Sequence, residues 1–157
     1  MSDFQSAATC LLRECFEGRP IDQPYTWFVE GREAILPTLD ATDADTASIK
    51  PNEMTSSIAG HAYHILYALR GANAQRTGAA TEGTWEDSWK EQAASAAEWD
   101  EVRARIREEY SSLVKWFEEN EDWSPEQIHV GALAMLPHMA FHLGAIQQIV
   151  RFTKQVN

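Results

Sequence analysis

The stretch PHMAFHLGAIQQIV, residues 137–150, sets His138 and His142 four positions apart in a largely apolar run. Four residues along an α-helix turn two side chains only about 40° apart, so both imidazoles can reach one metal ion from the same face. Ala145 and Ile149 share that face, which turns the histidines toward an apolar interior rather than toward water. A buried imidazole needs a partner, and a metal ion is one candidate. A third histidine on a helical pattern, His64, stands in SIAGHAYHILYAL, residues 57–69, where Ile58, Ala62, Ile65 and Leu69 form a stripe.

Working outward, residues 3–17 carry apolar side chains at Phe4, Ala7, Leu11, Leu12, Cys15 and Phe16 with a helical period that stops at Gly18 and Pro20. A second helix is expected over 27–39, on Phe28, Ala34, Ile35 and Leu39, kinked or ended early by Pro37. DATDADTASIKPN, residues 40–52, reads as a connection. The His64 helix is expected from Thr55 to about Ala72, with Thr55 and Ser56 as caps and Gly71 near its end. Residues 73–89 read as a long loop of the kind that shapes the mouth of a site. A charged helix follows, beginning at Trp89 or Ala93 and ending at Glu119, with Val102, Ile106, Leu113 and Phe117 inward and a solvated outer face. SPEQ, residues 124–127, is a capping box that opens a last helix reaching about Phe152, with Gly131 and Pro137 marking a break into a short and a long piece.

Strand signals are missing: β-branched residues are scattered, and neither Asn-Gly nor Asp-Gly occurs. The expected fold class is all-α, an antiparallel four-helix bundle with an additional short N-terminal helical element. A length of 157 residues suits one domain over 1–157, able to bury a core without disulfides or a structural metal. Cys10 and Cys15, five residues apart, point to different helix faces and read as packed thiols.

Thirteen basic against twenty-four acidic residues give a net charge of -11, with no dense basic block, which argues against a nucleic-acid partner. No apolar run approaches the roughly eighteen residues of a membrane span, so no membrane partner is expected. The N-terminus lacks a basic n-region and a cleavage signature, which leads to an expected cytoplasmic location.

SIAGHAYHILYAL, then TWEDSW (residues 84–89), then HMAFHLGAIQQI (residues 138–149) resemble, in order and over nearly the whole chain, the DinB-like (DNA-damage-inducible) superfamily of four-helix bundles. That resemblance implies a divalent metal held by one histidine of the second bundle helix and a His-x3-His pair of the last. Here these are His64, His138 and His142, with Gly144 and Ala145 after the pair. It also implies a small-molecule substrate and, by similarity to thiol-dependent transferases and isomerases, a low-molecular-weight thiol. Periodicity alone favours His61 over His64, because His61 sits nearer the Ile58, Ile65, Leu69 stripe. Position within the family-like pattern favours His64 and leaves His61 beside the ligands or in the core. His129 matches nothing in the pattern and reads as a surface or packing residue.

Three neutral imidazoles suit Zn, Ni or Fe(II) and leave a coordination position open to water or substrate. A metal there lowers the pKa of bound water to about 7, or holds a thiol as the attacking thiolate. No Ser-His-Asp order, phosphate-binding Gly-rich loop or CxxC pair suggests another mechanism, and no Asp or Glu lies within the histidine motifs to act as general base. Two function classes follow. One is a metal-dependent enzyme, a thiol transferase or hydrolase; the other is a non-catalytic module that binds a metal or small ligand. Among the six tryptophans, mostly core or loop packing, Trp85 and Trp89 are the candidates to line a pocket. Tyr63 and Tyr67 read as helix packing, with a hydrogen bond to substrate as the functional alternative, and Arg70 as a surface pair or helix-end cation. A homodimer is expected from the broad helix faces, through Leu11, Leu12 and Phe16 if the first helix turns them outward.

Overall fold

The computed structural model describes residues 3–19, 25–29 and 33–156, and these are all-helical, without a strand. The helices are α1 (Asp3–Glu17), α2 (Ile35–Asp40), α3 (Ala44–Ala47), α4 (Ile58–Thr77), α5 (Ala96–Glu119) and α6 (Glu126–Val156), with a 3-10 turn at Asp87–Trp89 between α4 and α5. The four long helices pack pairwise, α4 on α5 and α6, and α1 on α5 and α6. Leu12, Phe16, Ile65, Ile106, Phe117 and Met139 fill the space between them, each fully buried.

Local chemistry explains the boundaries. α1 spans the expected residues; Pro20 lies outside the described residues. α2 begins later than expected, at Ile35, because Trp27–Val29 are held in a non-helical conformation by α1; residues 30–32 lie outside the described residues. Pro37 then falls in the first turn of α2, where its missing N–H leaves no intrahelical bond unmade. The expected connection over 40–52 contains α3, whose end is capped by the Asp43 carboxylate accepting from Thr46 N at 2.7 Å. α4 starts at Ile58, capped by Ser57 rather than by Thr55 or Ser56, and runs past Gly71 to Gly78, which closes it in the left-handed conformation at φ 71°. Ser95 and Glu98 form a capping box at the start of α5.

α6 is unbroken, contrary to the division expected at Gly131 and Pro137. Pro37 and Pro137 illustrate the same rule from two sides. Pro137 removes one hydrogen bond, to the carbonyl of Leu133, but both residues lie on the solvent-exposed side, where water can serve that carbonyl. No Asp, Glu, Lys or Arg occurs from Gln127 to Val150, and α6 has the length and composition to cross a membrane, with a mean hydropathy of 1.2. The sequence reading expects no apolar run of that length; α6 reaches it by length and composition, with His129, His138, His142, Gln147 and Gln148 as polar residues within it. Leu12 and Phe16 are fully buried and Leu11 is half-buried, so α1 does not offer the outward face expected for a dimer; on α6, Val130, Leu133, Phe141 and Phe152 are exposed.

A buried carboxylate ties the segment after α1 to the core. Glu14, 1% exposed, accepts hydrogen bonds from the backbone N–H groups of Trp27 (2.8 Å), Phe28 (2.7 Å) and Val29 (2.9 Å). Glu14→Gln keeps the size but removes the charge and one acceptor oxygen, and is expected to cost about 2–3 kcal/mol. Urea denaturation of the two proteins measures this; an unchanged midpoint would show that water serves those N–H groups equally well.

Candidate metal centre

α4 presents His61 and His64 one turn apart, and α6 presents His138 and His142 one turn apart, so the contact between these two helices brings four imidazoles together. His64, His138 and His142 each offer a ring nitrogen within 4.8 Å of the others. Nε2 of His138 lies 3.2 Å from Nε2 of His64 and 2.9 Å from Nε2 of His142. Nitrogens at about 2.0–2.1 Å from a tetrahedral zinc stand about 3.3 Å apart, so this donor set fits a divalent ion in type and spacing. His61 is placed differently: its Nδ1 lies 2.9 Å from Nδ1 of His142, on the far side of that ring from the cluster. Periodicity alone favours His61, yet the structure brings His64 into the cluster and sets His61 behind His142.

The 3-10 turn supplies the other half of the site. Thr84 and Asp87 cap one another: the Thr84 hydroxyl donates to Asp87 Oδ2 at 2.9 Å and accepts from Asp87 N at 3.1 Å. This turn sets Ser88 Oγ 2.7 Å from His64 Nδ1, while the Ser88 hydroxyl donates its only proton to the Trp85 carbonyl at 2.6 Å. His64 Nδ1 therefore carries a proton and donates it to Ser88, leaving Nε2 as a lone pair. His138 Nε2–H then faces the lone pairs of both His64 and His142. That places the His142 proton on Nδ1, donated to His61 Nδ1, and leaves the His61 proton on Nε2. One neutral tautomer set thus accounts for every contact, with the single His138 proton shared between His64 and His142. Moving a single proton, from Nε2 to Nδ1 of His138, would leave all three Nε2 atoms free to bind an ion.

Aromatic rings enclose the cluster. The Trp89 ring stacks on His64 at 4.1 Å between centroids and 18° between planes, Trp85 stands edge-on to His64 at 4.4 Å, and Trp85 lies over His138 at 5.6 Å. Burial in these surroundings favours neutral imidazoles. Desolvation pushes His61 down to about 4; desolvation, then the neighbouring His138 and His61, push His64 to about 4; desolvation and the three other rings push His142 to about 2; desolvation also lowers His138.

A polar latch holds the turn against α4. Gln92 Oε1 accepts from Ser57 N at 2.9 Å, its amide Nε2 donates to the Trp89 carbonyl at 2.8 Å, and its own carbonyl accepts from the Ser57 hydroxyl at 2.5 Å. The amide lies where a side chain at Gly60 would be, 2.5 Å from a Cβ built there.

The remaining residues that the sequence singles out fall into two groups. Trp85 and Trp89 line the site, whereas Trp99 and Trp123 are core residues. Tyr63 packs against the core, and the Tyr67 ring lies 6.1 Å from that of His64. Arg70 pairs with Glu109 at 3.7 Å, and His129 packs edge-on against Phe4 at 4.5 Å. Neither Cys10 nor Cys15 is in a disulfide among the described residues, and burial raises the Cys15 thiol to about 12, so it is a packed group and not a nucleophile. Sequence patterns do not point to Ser88, Gln92 or Phe141. Only the paired Thr84 and Asp87, a short capping pattern inside TWEDSW, announce an ordered turn there.

The sequence profile of the DinB superfamily matches residues 28–146, a span that includes all four clustered histidines. No curated protein and no solved structure matches the chain.

Two outcomes follow from this geometry. Gly60→Ala forces the Gln92 amide out of its seat, so hydrogen–deuterium exchange over residues 84–92 is expected to accelerate while the interior of α5 stays protected; unchanged exchange would show that the latch does not hold the turn. The metal-free protein should also lose stability in acid. An unfolded imidazole takes its proton near 6.5, while His61 and His64 resist to about 4, so between these values the unfolded chain binds more protons. This contribution is fully present above pH 6.5 and is lost as pH falls toward 4. Thermal melts in that interval should show Tm falling with pH, less steeply in His61→Asn; identical slopes would sink the assignment.

Proposed function

This chain belongs to the DinB superfamily, and on that premise we propose that it is a divalent-metal enzyme acting on a small molecule, with His64, His138 and His142 as the ligands. In this reading the four long helices form the superfamily's antiparallel bundle around the site. The observation that carries it is the convergence of three Nε2 atoms, two of them on rings whose other nitrogen is served from outside: Ser88 takes the His64 proton and His61 takes that of His142. Outer partners of this kind orient imidazole ligands and raise their basicity.

A bound Zn, Ni or Fe(II) ion would supply Lewis acidity, enough to hold a thiol as thiolate or to make a bound water acidic. The chain's own groups orient the ligands, exclude water with Trp85 and Trp89, and keep the histidines neutral. The described contacts of the triad are imidazole, hydroxyl and aromatic, with no carboxylate among them to serve as base. This favours a thiol-dependent transferase over a hydrolase, because coordination by itself deprotonates a low-molecular-weight thiol.

Elemental mass spectrometry of untagged protein tests the reading. About one equivalent of Zn, Ni or Fe is expected in the wild type and none in His142→Ala. His61→Ala should retain metal with affinity reduced roughly ten- to a hundredfold. A wild type that holds no metal after reconstitution would reject the enzyme. A metal-loaded protein that neither forms thiol adducts nor cleaves esters would favour a non-catalytic binding module.

A further inference from the structure

Beside the histidine cluster, on the far side of His61, a groove of about 470 Å³ runs between α6, the 51–56 turn and Trp89. That volume lies within the range of about 300–1,000 Å³ typical of small-molecule sites. Its walls are mainly apolar, from Trp89, Phe141, Ala145 and Phe152; Thr55, Ser56 and Gln148 add uncharged polar groups, and no Asp, Glu, Lys or Arg lines it. His61 is its one titratable residue.

The state of His61 in this wall follows from the proton order of the cluster. Its Nδ1 is engaged by His142, so the polar atom left is Nε2–H. Among the described residues the one buried side-chain N or O atom without a partner is Thr9 Oγ1, so His61 Nε2 is open to the surface, and the surface beside His61 is the groove. A mainly apolar wall in which His61 Nε2–H is the donor fixed by the proton order, with the hydroxyls of Thr55 and Ser56 and the amide of Gln148 as the other polar groups and no charge, selects a neutral ligand with an apolar body and a hydrogen-bond acceptor. An anionic body would enter a chain of net charge -11 with no cation to receive it.

We propose that this groove binds the apolar body of the substrate and that His61, through Nε2–H, is a specificity-determining contact holding an acceptor atom of that substrate on the groove side of His61, with Trp89 shared between the groove and the metal centre. The inference rests on the metal-dependent reaction proposed above, since it assigns the place of that reaction's substrate. His61 thereby serves two partners at once, His142 through Nδ1 and the ligand through Nε2. Filling the groove and filling the metal site become linked through one imidazole.

Acetophenone, with an aromatic body and one carbonyl acceptor, serves as the probe, compared with ethylbenzene, which lacks the acceptor, and benzoate, which is charged. In zinc-loaded protein, acetophenone is expected to quench tryptophan fluorescence saturably and to shift the ¹⁵N resonance of His61 Nε2. Ethylbenzene should bind about tenfold more weakly, the worth of one hydrogen bond, and benzoate should not bind. Ala145→Trp fills the groove and is expected to abolish binding. His61→Phe keeps the wall and removes the donor, so it should bind both neutral probes equally well. Absence of acetophenone binding, or an undiminished preference for it in His61→Phe, overturns the inference. Zinc content measured on the same samples separates the two readings: zinc without probe binding overturns the groove alone, and probe binding without zinc supports the groove while overturning the metalloenzyme.

Discussion

The site depends on the contact between α4 and α6. Each helix carries two histidines one turn apart, and neither pair can make a three-nitrogen cluster by itself. Four neutral imidazoles in contact are tolerable only if their protons are ordered, because two N–H groups or two lone pairs facing each other would leave buried polar atoms unsatisfied. Ser88 breaks that degeneracy. With its single proton given to the Trp85 carbonyl, every later donor and acceptor in the chain from His64 to His61 follows.

That makes the connection between α4 and α5 part of the site rather than a tether. The Thr84–Asp87 cap forms the turn, Trp85 and Trp89 lie against the imidazoles, and Gln92 fastens the turn to the start of α4. Gly60 has a steric reason to be glycine, since the Gln92 amide occupies the space of its missing side chain. α6 combines two roles in one helix: its inner face carries the histidines into the core, while its outer face exposes Phe141, Val130 and Leu133 without a charge along the way.

The long helices were legible because burial imposes a 3.6-residue period on their apolar residues, as at Ile58, Ile65 and Leu69, and because His138 and His142 announce their common face by spacing alone. Short elements were not. α3 has four residues, too few for a period, and the late start of α2 is set by Glu14, a buried acid on another helix whose role appears only when Trp27–Val29 reach it. Pro137 read as a break because sequence does not say which side of a helix faces water, and on the wet side a lost hydrogen bond is replaced by solvent.

By itself the sequence determined helical class, the positions of the histidines along their helices, and the resemblance to a metal-binding superfamily, because these rest on spacing within one segment. Tertiary structure decided which α4 histidine joins the pair on α6, that His61 backs His142, that Ser88 orders the protons, and that a neutral groove lies against His61. Each of these depends on the angle and offset at which separate segments pack, and on single hydrogen bonds spanning 24 residues or more of chain, distances over which local periodicity carries no information.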